Sequence, residues 1–330
     1  MNSFGRIFRI SIFGESHGQA IGVTIDGVPP GINLSVDDFM LDLNRRKAGA
    51  KGTTPRSEDD LPEIVSGWLN DHTTGAPLTM LFRNNNTQSA DYGNIANTPR
   101  PGHADFAAYK RFKGFNDVRG GGHFSGRLTL GLVAVGVVAK KMLSNINISA
   151  KLIAAGGSTN IDKAIDEAID KGDSIGGLVE CTASGIPIGL GEPFFSSVES
   201  VISHLAFAVP AIKGIEFGSG FDAANMLGSQ HNDSILDKTG RTATNNAGGI
   251  TGGLTNGNTI VFRVAVKPTS SIGIKQHTYS IASGKTEDFI VKGRHDACIA
   301  LRVPVVIEAI TAIALTDLQL LLKASTLTKG

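Results

Sequence analysis

Cysteine is almost absent from this chain. Cys181 and Cys298 are the only two in 330 residues, too few and too far apart for a disulfide framework or a zinc knuckle. Neither sign of charge prevails. Lys and Arg total 31 against 30 Asp and Glu, a formal net charge of +1, so neither nucleic acid nor a membrane surface is the expected partner. An anion bound here must be met by a local cluster of cations. Residues 1–11 carry Arg6 and Arg9 but no apolar h-region, so no secretion signal is read and a cytoplasmic location is expected. The longest apolar run, residues 128–138, stops at Lys140 and Lys141 and is too short to span a bilayer. No P-loop, no G-x-G-x-x-G after a strand and no H-E-x-x-H is present. No metal site is therefore expected, and a nucleotide-like cofactor would not bind in the Rossmann manner.

Glycine, by contrast, is abundant, at 41 of 330 residues, about 12% where roughly 7% is ordinary. Glycine is needed where φ is positive or where something must approach the main chain closely. Two readings stand open: loops pressing their amides against a ligand, or simply many tight turns. With 41% hydrophobic and 18% charged residues the chain can bury a substantial core. Alternation predicts strands over residues 7–13 and 21–26, and Ser35 is placed to cap a helix reaching Arg46. Residues 44–60 (NRRKAGAKGTTPRSEDD) show no periodicity and read as a mobile loop. Two apolar helices are expected over residues 128–143 and 303–322.

A faint echo links the halves. DGVPPGI at 26–32 recurs as SGIPIGL at 184–190, and GGHFSGRLTLGLVAVG at 121–136 is loosely matched by GRHDACIALRVPVVIE at 293–308. No linker separates them. The expectation is one α/β (α+β) domain over residues 1–330, with an internal duplication of about 1–150 and 151–330 whose loops meet at a central site.

Three stretches carry candidate chemistry. Gly14-Glu15-Ser16-His17-Gly18 fits G-x-S-x-G, the nucleophile elbow of a serine hydrolase. An elbow needs a helix after the serine, and QAIGVTIDGVPP is a strand-and-turn pattern. The alternative places the work on His17, whose ordinary pKa near neutrality suits proton transfer. Residues 100–127 gather Arg100, His103, Arg119, His123 and Arg127 around three consecutive glycines. Such a stretch either holds phosphate or carboxylate, or is a solvated surface beside a turn. Lys267, Ser270, Ser271 and Arg294 are again phosphate-type ligands, and Asp296 is placed to orient a neighbouring group or a proton.

Taken together, FGESHGQAIGVTIDGVPPG, RPGHADF, RGGGHFSGR, LGEPFF, AGGITGG, KPTSSI and GRHDACIALR resemble the chorismate synthase family over almost the whole chain, in order. The resemblance implies a β-α-β sandwich with pseudo-twofold halves, assembled as a homotetramer. It implies a phospholyase that turns 5-enolpyruvylshikimate 3-phosphate into chorismate and phosphate by 1,4-anti elimination, with reduced FMN and no net redox change. His17 and His103 match the two family histidines, one serving the reduced flavin and the other the substrate phosphate. Asp296 matches the aspartate that assists proton removal. His123, Phe124, Ser125, Ala211, Gly252, Lys267, Pro268, Thr269, Ser270, Ser271 and Arg294 match cofactor-binding positions. Arg46, Lys51 and Arg127 match positions for substrate or, in bifunctional members, NADPH as reductant. The chain departs from the family pattern at His123-Phe124, where Arg-Ser is common, at Gly126, at Lys51 and at Pro210. These departures keep open a second reading, a flavin- or anion-binding relative without catalysis.

Overall fold

The computed structural model describes residues 2–54, 58–85, 95–291 and 295–326. The first half forms β1 (Ser3–Phe4), β2 (Arg9–Gly14), β3 (Ala20–Asp26), α1 (Val36–Arg46), β4 (Glu63–Ser66), the small pair β5 (Trp68–Leu69) and β6 (His72–Thr73), β7 (Leu78–Arg83), α2 (Asp105–Phe112) and α3 (Thr129–Met142). The second half forms β8 (Asn147–Ala155), α4 (Ile161–Asp170), β9 (Gly177–Ser184), α5 (Val198–Ala208), β10 (Ile212–Phe217) and α6 (Gly228–His231). It continues with β11 (Ile250–Thr251), β12 (Leu254–Thr255), β13 (Ile260–Val266), β14 (Gln276–Tyr279), β15 (Thr286–Phe289) and α7 (Pro304–Thr326).

Two antiparallel sheets organise these elements, β1-β2-β3-β7-β4 and β10-β13-β9-β8. Setting β1 aside, the four strands of each half, numbered in chain order, lie side by side as 1-2-4-3. The inward faces follow from alternation. Ile21, Val23 and Ile25 of β3 stand opposite Phe82, Met80 and Leu78 of β7. In the second sheet Ile260, Phe262 and Val264 stand opposite Ala183, Cys181 and Val179. All twelve side chains are buried.

Helices fill the space between the sheets. α3 is buried at every position from Thr129 to Ala139, because it packs on β2 and β3 with one face and on α7 with another. Gly131 approaches Val23 and Ile12 of the first sheet, and at Gly136 a Cβ would overlap Ala309 of α7. α7 in turn covers β8 and β9 and touches α5. Its 23 residues are long and apolar enough to cross a bilayer, yet most of that surface is buried against the rest of the fold. Its apolar character is that of a core helix.

Ion pairs tie the layers together. Arg45 of α1 holds Glu308 of α7 through two bonds of 2.7 Å, and Lys140 of α3 bridges Asp42 at 2.7 Å and Glu308 at 3.0 Å. Burial raises the Glu308 carboxyl, but Arg45 and Lys140 outweigh it and hold the group below its ordinary range. Further along α7, Asp317 accepts the backbone N–H groups of Arg6, Ile7 and Phe8. That contact fixes the chain's entry into β2, and so the position of the loop that follows it.

Helix contact at Gly136 leaves no room for a side chain. Gly136→Val is expected to lower stability by about 1–3 kcal/mol through overpacking, read as a fall in melting temperature. An unchanged melting temperature would contradict the close crossing.

Candidate active site

The G-x-S-x-G stretch lies between two strands of one sheet, β2 and β3, and no helix follows it. Ser16 is 1% exposed and its N–H donates to the Gly122 carbonyl at 3.1 Å. The loop is therefore not a nucleophile elbow. What it does is present His17 to the three glycines. Gly120, Gly121 and Gly122 have φ of 58°, 81° and 54°, a region costly for side chains with a Cβ. A Cβ on Gly120 would come 2.5 Å from His17 Cδ2, and one on Gly121 would come 3.4 Å from His103 Nε2. The glycine run thus separates the two imidazoles by little more than main chain.

Beside this run opens a cavity of about 590 Å³, within the range of small-molecule sites. It is strongly cationic despite the neutral balance of the chain. Lys or Arg lines it at 46, 47, 100, 127, 213, 267 and 302, against carboxylates at 58, 60 and 296. Arg46 Nη2 donates to Asp60 Oδ2 at 2.6 Å and Arg127 Nη1 to Asp60 Oδ1 at 2.9 Å. Burial lowers Arg46 to about 10, a fall that Asp60 opposes and Arg302 and Arg127 deepen. Burial raises Asp60, and the charges of Arg46 and Arg127 more than reverse it, leaving the carboxyl below its ordinary value. Two buried guanidinium nitrogens, Arg46 Nε and Arg127 Nη2, find no partner among the described residues.

His103 lies at the same wall. Its Nδ1 is 2.5 Å from Asp105 Oδ1, and Arg100 Nη2 lies 3.1 Å from that nitrogen. Arg100 also grips Asp105 through Nε at 2.7 Å and Nη2 at 2.9 Å, and donates to Ser271 Oγ at 3.1 Å. Burial raises Asp105, but its bonds to Arg100 and His103 prevail and hold it far below the ordinary carboxylate range. Asp296 Oδ1 accepts the Thr54 N–H at 2.9 Å and faces Arg302 Nη1 at 3.4 Å. Lys267 Nζ donates to Ser270 Oγ at 2.9 Å, and burial together with the nearby Lys213 lowers its pKa. Ala211, at φ 75°, accepts the Lys267 N–H at 2.9 Å. Strained backbone of this kind gathers at ligand sites.

Most of the sequence candidates meet here. Arg46, His103, His123, Phe124, Ser125, Arg127, Ala211, Lys267, Thr269, Ser270, Ser271 and Asp296 line the cavity, and His17 stands behind Gly120. Three others lie away from it. Lys51 is exposed and paired with Asp166 of α4, Gly252 sits at the β11–β12 turn, and Pro268 packs near Gly176. Arg294 lies outside the described residues. His123 has its ring committed to the fold, with Nδ1 donating to the Gly14 carbonyl at 2.8 Å and Nε2 3.2 Å from Asn2 Oδ1.

Of the expected mobile loop, residues 55–57 lie outside the described residues. Residues 44–46 complete α1, and Gly52 accepts the N–H groups of Ala297 and Cys298. With Thr54 on Asp296 and Asp60 buried, the described part of 44–60 is a wall of the cavity rather than a lid. Asp60, Asp105, Lys213 and Arg302 were not singled out from sequence. Asp60 pairs with Arg127 and Lys213 lies near Lys267, partners far along the chain, whereas Asp105 and Arg302 pair with near neighbours, Asp105 with Arg100 and His103, and Arg302 with Asp296.

Asp105 and Asp60 gain stability from depressed pKa values, which is present above the ordinary value of 3.8 and is lost as pH falls below it. Asp105→Ala leaves Arg100 buried without its counter-charge and is expected to cost about 3–5 kcal/mol at pH 7. The gap from wild type should narrow as pH falls below about 4, measured by urea unfolding. A gap that widens toward acid would contradict the assignment.

The chain as a whole is similar to known proteins. The sequence model of the family described as chorismate synthase matches residues 8–320. A chorismate synthase of Chitinophaga pinensis is 63% identical over 322 residues, spanning 97% of each chain. One of Dehalococcoides mccartyi is 44% identical over 351 residues, 97% of this chain and 96% of the relative. A crystal structure of chorismate synthase superposes with a TM-score of 0.72 at 28% identity, covering 96% of this chain and 92% of the other. The chain belongs to the chorismate synthase family, phospholyases of the shikimate pathway whose cofactor is reduced FMN.

Proposed function

We propose that this cavity binds 5-enolpyruvylshikimate 3-phosphate beside reduced FMN and eliminates phosphate to give chorismate. The observation that carries the reading is the convergence of buried, partly unpartnered guanidinium groups on a cavity flanked by two histidines and an aspartate. A substrate with two carboxylates and a phosphate needs several cations at one place. Arg46, Arg127, Lys267 and Arg302 supply them here.

The residues also fit the flavin. The cavity has room for a ligand of that class, Lys267, Ser270 and Ser271 offer phosphate donors, and Phe124 exposes an aromatic face at the wall. When bound, reduced FMN supplies electron density to the allylic system that loses phosphate. The chain's part is to position, to exclude water and to move protons. His103, held on Asp105 through Nδ1 and with Arg100 Nη2 3.2 Å from its Nε2, is one group for proton exchange, and His17 across Gly120 is the other. One serves the reduced cofactor and the other the departing phosphate. Asp296, fixed by Thr54 and Arg302, assists removal of the substrate's proton. Donors held rigid around a leaving phosphate act most strongly where its charge develops.

The remaining expectations are part of this reading. The common 1-2-4-3 strand order supports one domain built from two related halves. Exposed Phe194, Phe195 and Phe221 support association with further copies; the homotetramer and the cytoplasmic location are carried over from the family resemblance.

The test is anaerobic. Protein, chemically reduced FMN and 5-enolpyruvylshikimate 3-phosphate are expected to release phosphate and chorismate together, with none formed in oxidised FMN. Flavin binding without product would favour the non-catalytic relative. The same mixture with oxidised FMN and NADPH forms product only if the protein reduces its own flavin. His17→Ala and His103→Ala are expected to keep FMN binding and lose about two to four orders of magnitude in turnover. Undiminished turnover in both would remove the histidines from the chemistry.

A further inference from the structure

We propose that Asp60 is a positioning residue that joins Arg46 and Arg127 into one two-armed clamp for an oxyanion in the cavity; this rests on the functional reading above. Three observations carry it. The first is geometry: each carboxylate oxygen of Asp60 takes one guanidinium, Oδ2 from Arg46 at 2.6 Å and Oδ1 from Arg127 at 2.9 Å. A carboxylate shared in this way fixes the distance and the relative tilt of two cations that would otherwise repel. The second is what it leaves over. Arg46 Nε and Arg127 Nη2 are buried and unpartnered, although both side chains line the cavity. A buried guanidinium N–H without an acceptor is costly, and two of them on adjacent arginines mark the place of an anion that completes both.

The third is the expense at which Asp60 is held. Its backbone sits at φ 53°, its side chain is 1% exposed, and it reaches Arg46 and Arg127 from a loop flanking β4. Arg127 is steadied further by Asn84, whose Oδ1 accepts from Nε at 2.7 Å, and the Arg46 carbonyl accepts from Arg302 Nε at 2.9 Å. Arg46 is therefore held at Nη2 and Arg127 at Nε and Nη1, while Arg46 Nε and Arg127 Nη2 are left without an acceptor among the described residues. Asp60 lines the cavity beside the two arginines, and in this proposal it acts through them.

The oxyanion belongs either to the substrate or to the flavin phosphate, and the same variant tells them apart. Asp60→Asn keeps the shape and removes the charge. A clamp holding the substrate gives a rise in its KM of tenfold or more with the FMN dissociation constant unchanged. A clamp holding the flavin phosphate gives a tenfold weaker FMN with KM unchanged. Either outcome supports the positioning role. Asp60→Asn with both constants within twofold of wild type overturns it, even if melting temperature or turnover falls, since that is the signature of a structural residue. Should Asp60→Asn fail to fold, Asp60→Glu retains the charge but shifts the clamp, and is read by the same two constants. In an Arg127→Lys background the Asp60 substitution is expected to add less than threefold, because the clamp is already broken. Full additivity overturns the proposal.

Inorganic phosphate supplies an arm independent of turnover. It is expected to raise the melting temperature of the wild type and not of Asp60→Asn. Equal protection of both overturns the clamp. Protection lost in the variant while the wild type makes no chorismate upholds the clamp and rejects the functional reading.

Discussion

Like charges resist being brought together, and the whole site is a solution to that difficulty. The chain carries a net charge of only +1, yet its cavity gathers seven Lys or Arg side chains among its lining residues. Each central cation is tied to a carboxylate: Arg46 and Arg127 to Asp60, Arg100 to Asp105, and Arg302 to Asp296. Removing charges from water is expensive, and such pairs persist only where geometry and further hydrogen bonds complete them. Here the carboxylates do not neutralise the site. They hold its cations in place and leave Arg46 Nε and Arg127 Nη2 without an acceptor among the described residues.

The glycine run is the second half of the arrangement. Two imidazoles can serve one small ligand only if little stands between them. Gly120 against His17 and Gly121 against His103 meet that need with main chain alone. Their positive φ values and the Ser16 bond to Gly122 lock the loop against the turn between β2 and β3. The abundance of glycine is explained at this place by close approach, whereas Gly136 answers to helix packing between α3 and α7.

Those two helices set the distance between the halves of the site. α3 follows the glycine run and α7 follows the segment bearing Asp296, so their contact brings residues some 170 positions apart to one cavity. The Arg45–Glu308–Lys140 network and the Asp317 anchor hold that contact in register. Around it, the loop after α1 is drawn in by Gly52 and Thr54 and becomes a wall.

Elements whose signal is local were legible in the sequence. Alternation placed β2 and β3 within a few residues, and Ser35 marked the start of α1. The two apolar helices were found for the same reason, since burial on all sides leaves its mark in composition. Motif resemblance singled out His17, His103, Arg127 and Asp296, because each stands in a short stretch of fixed spacing. What the tertiary structure alone decided is the pairing. It took Asp60 from a polar run to the centre of the clamp, and turned His123 toward Gly14 and Asn2. It placed Lys51 on α4 instead of in the cavity. A charged side chain in a sequence names its chemistry but not its counter-ion. The counter-ion is fixed by long-range packing, and with it which atoms remain free to bind.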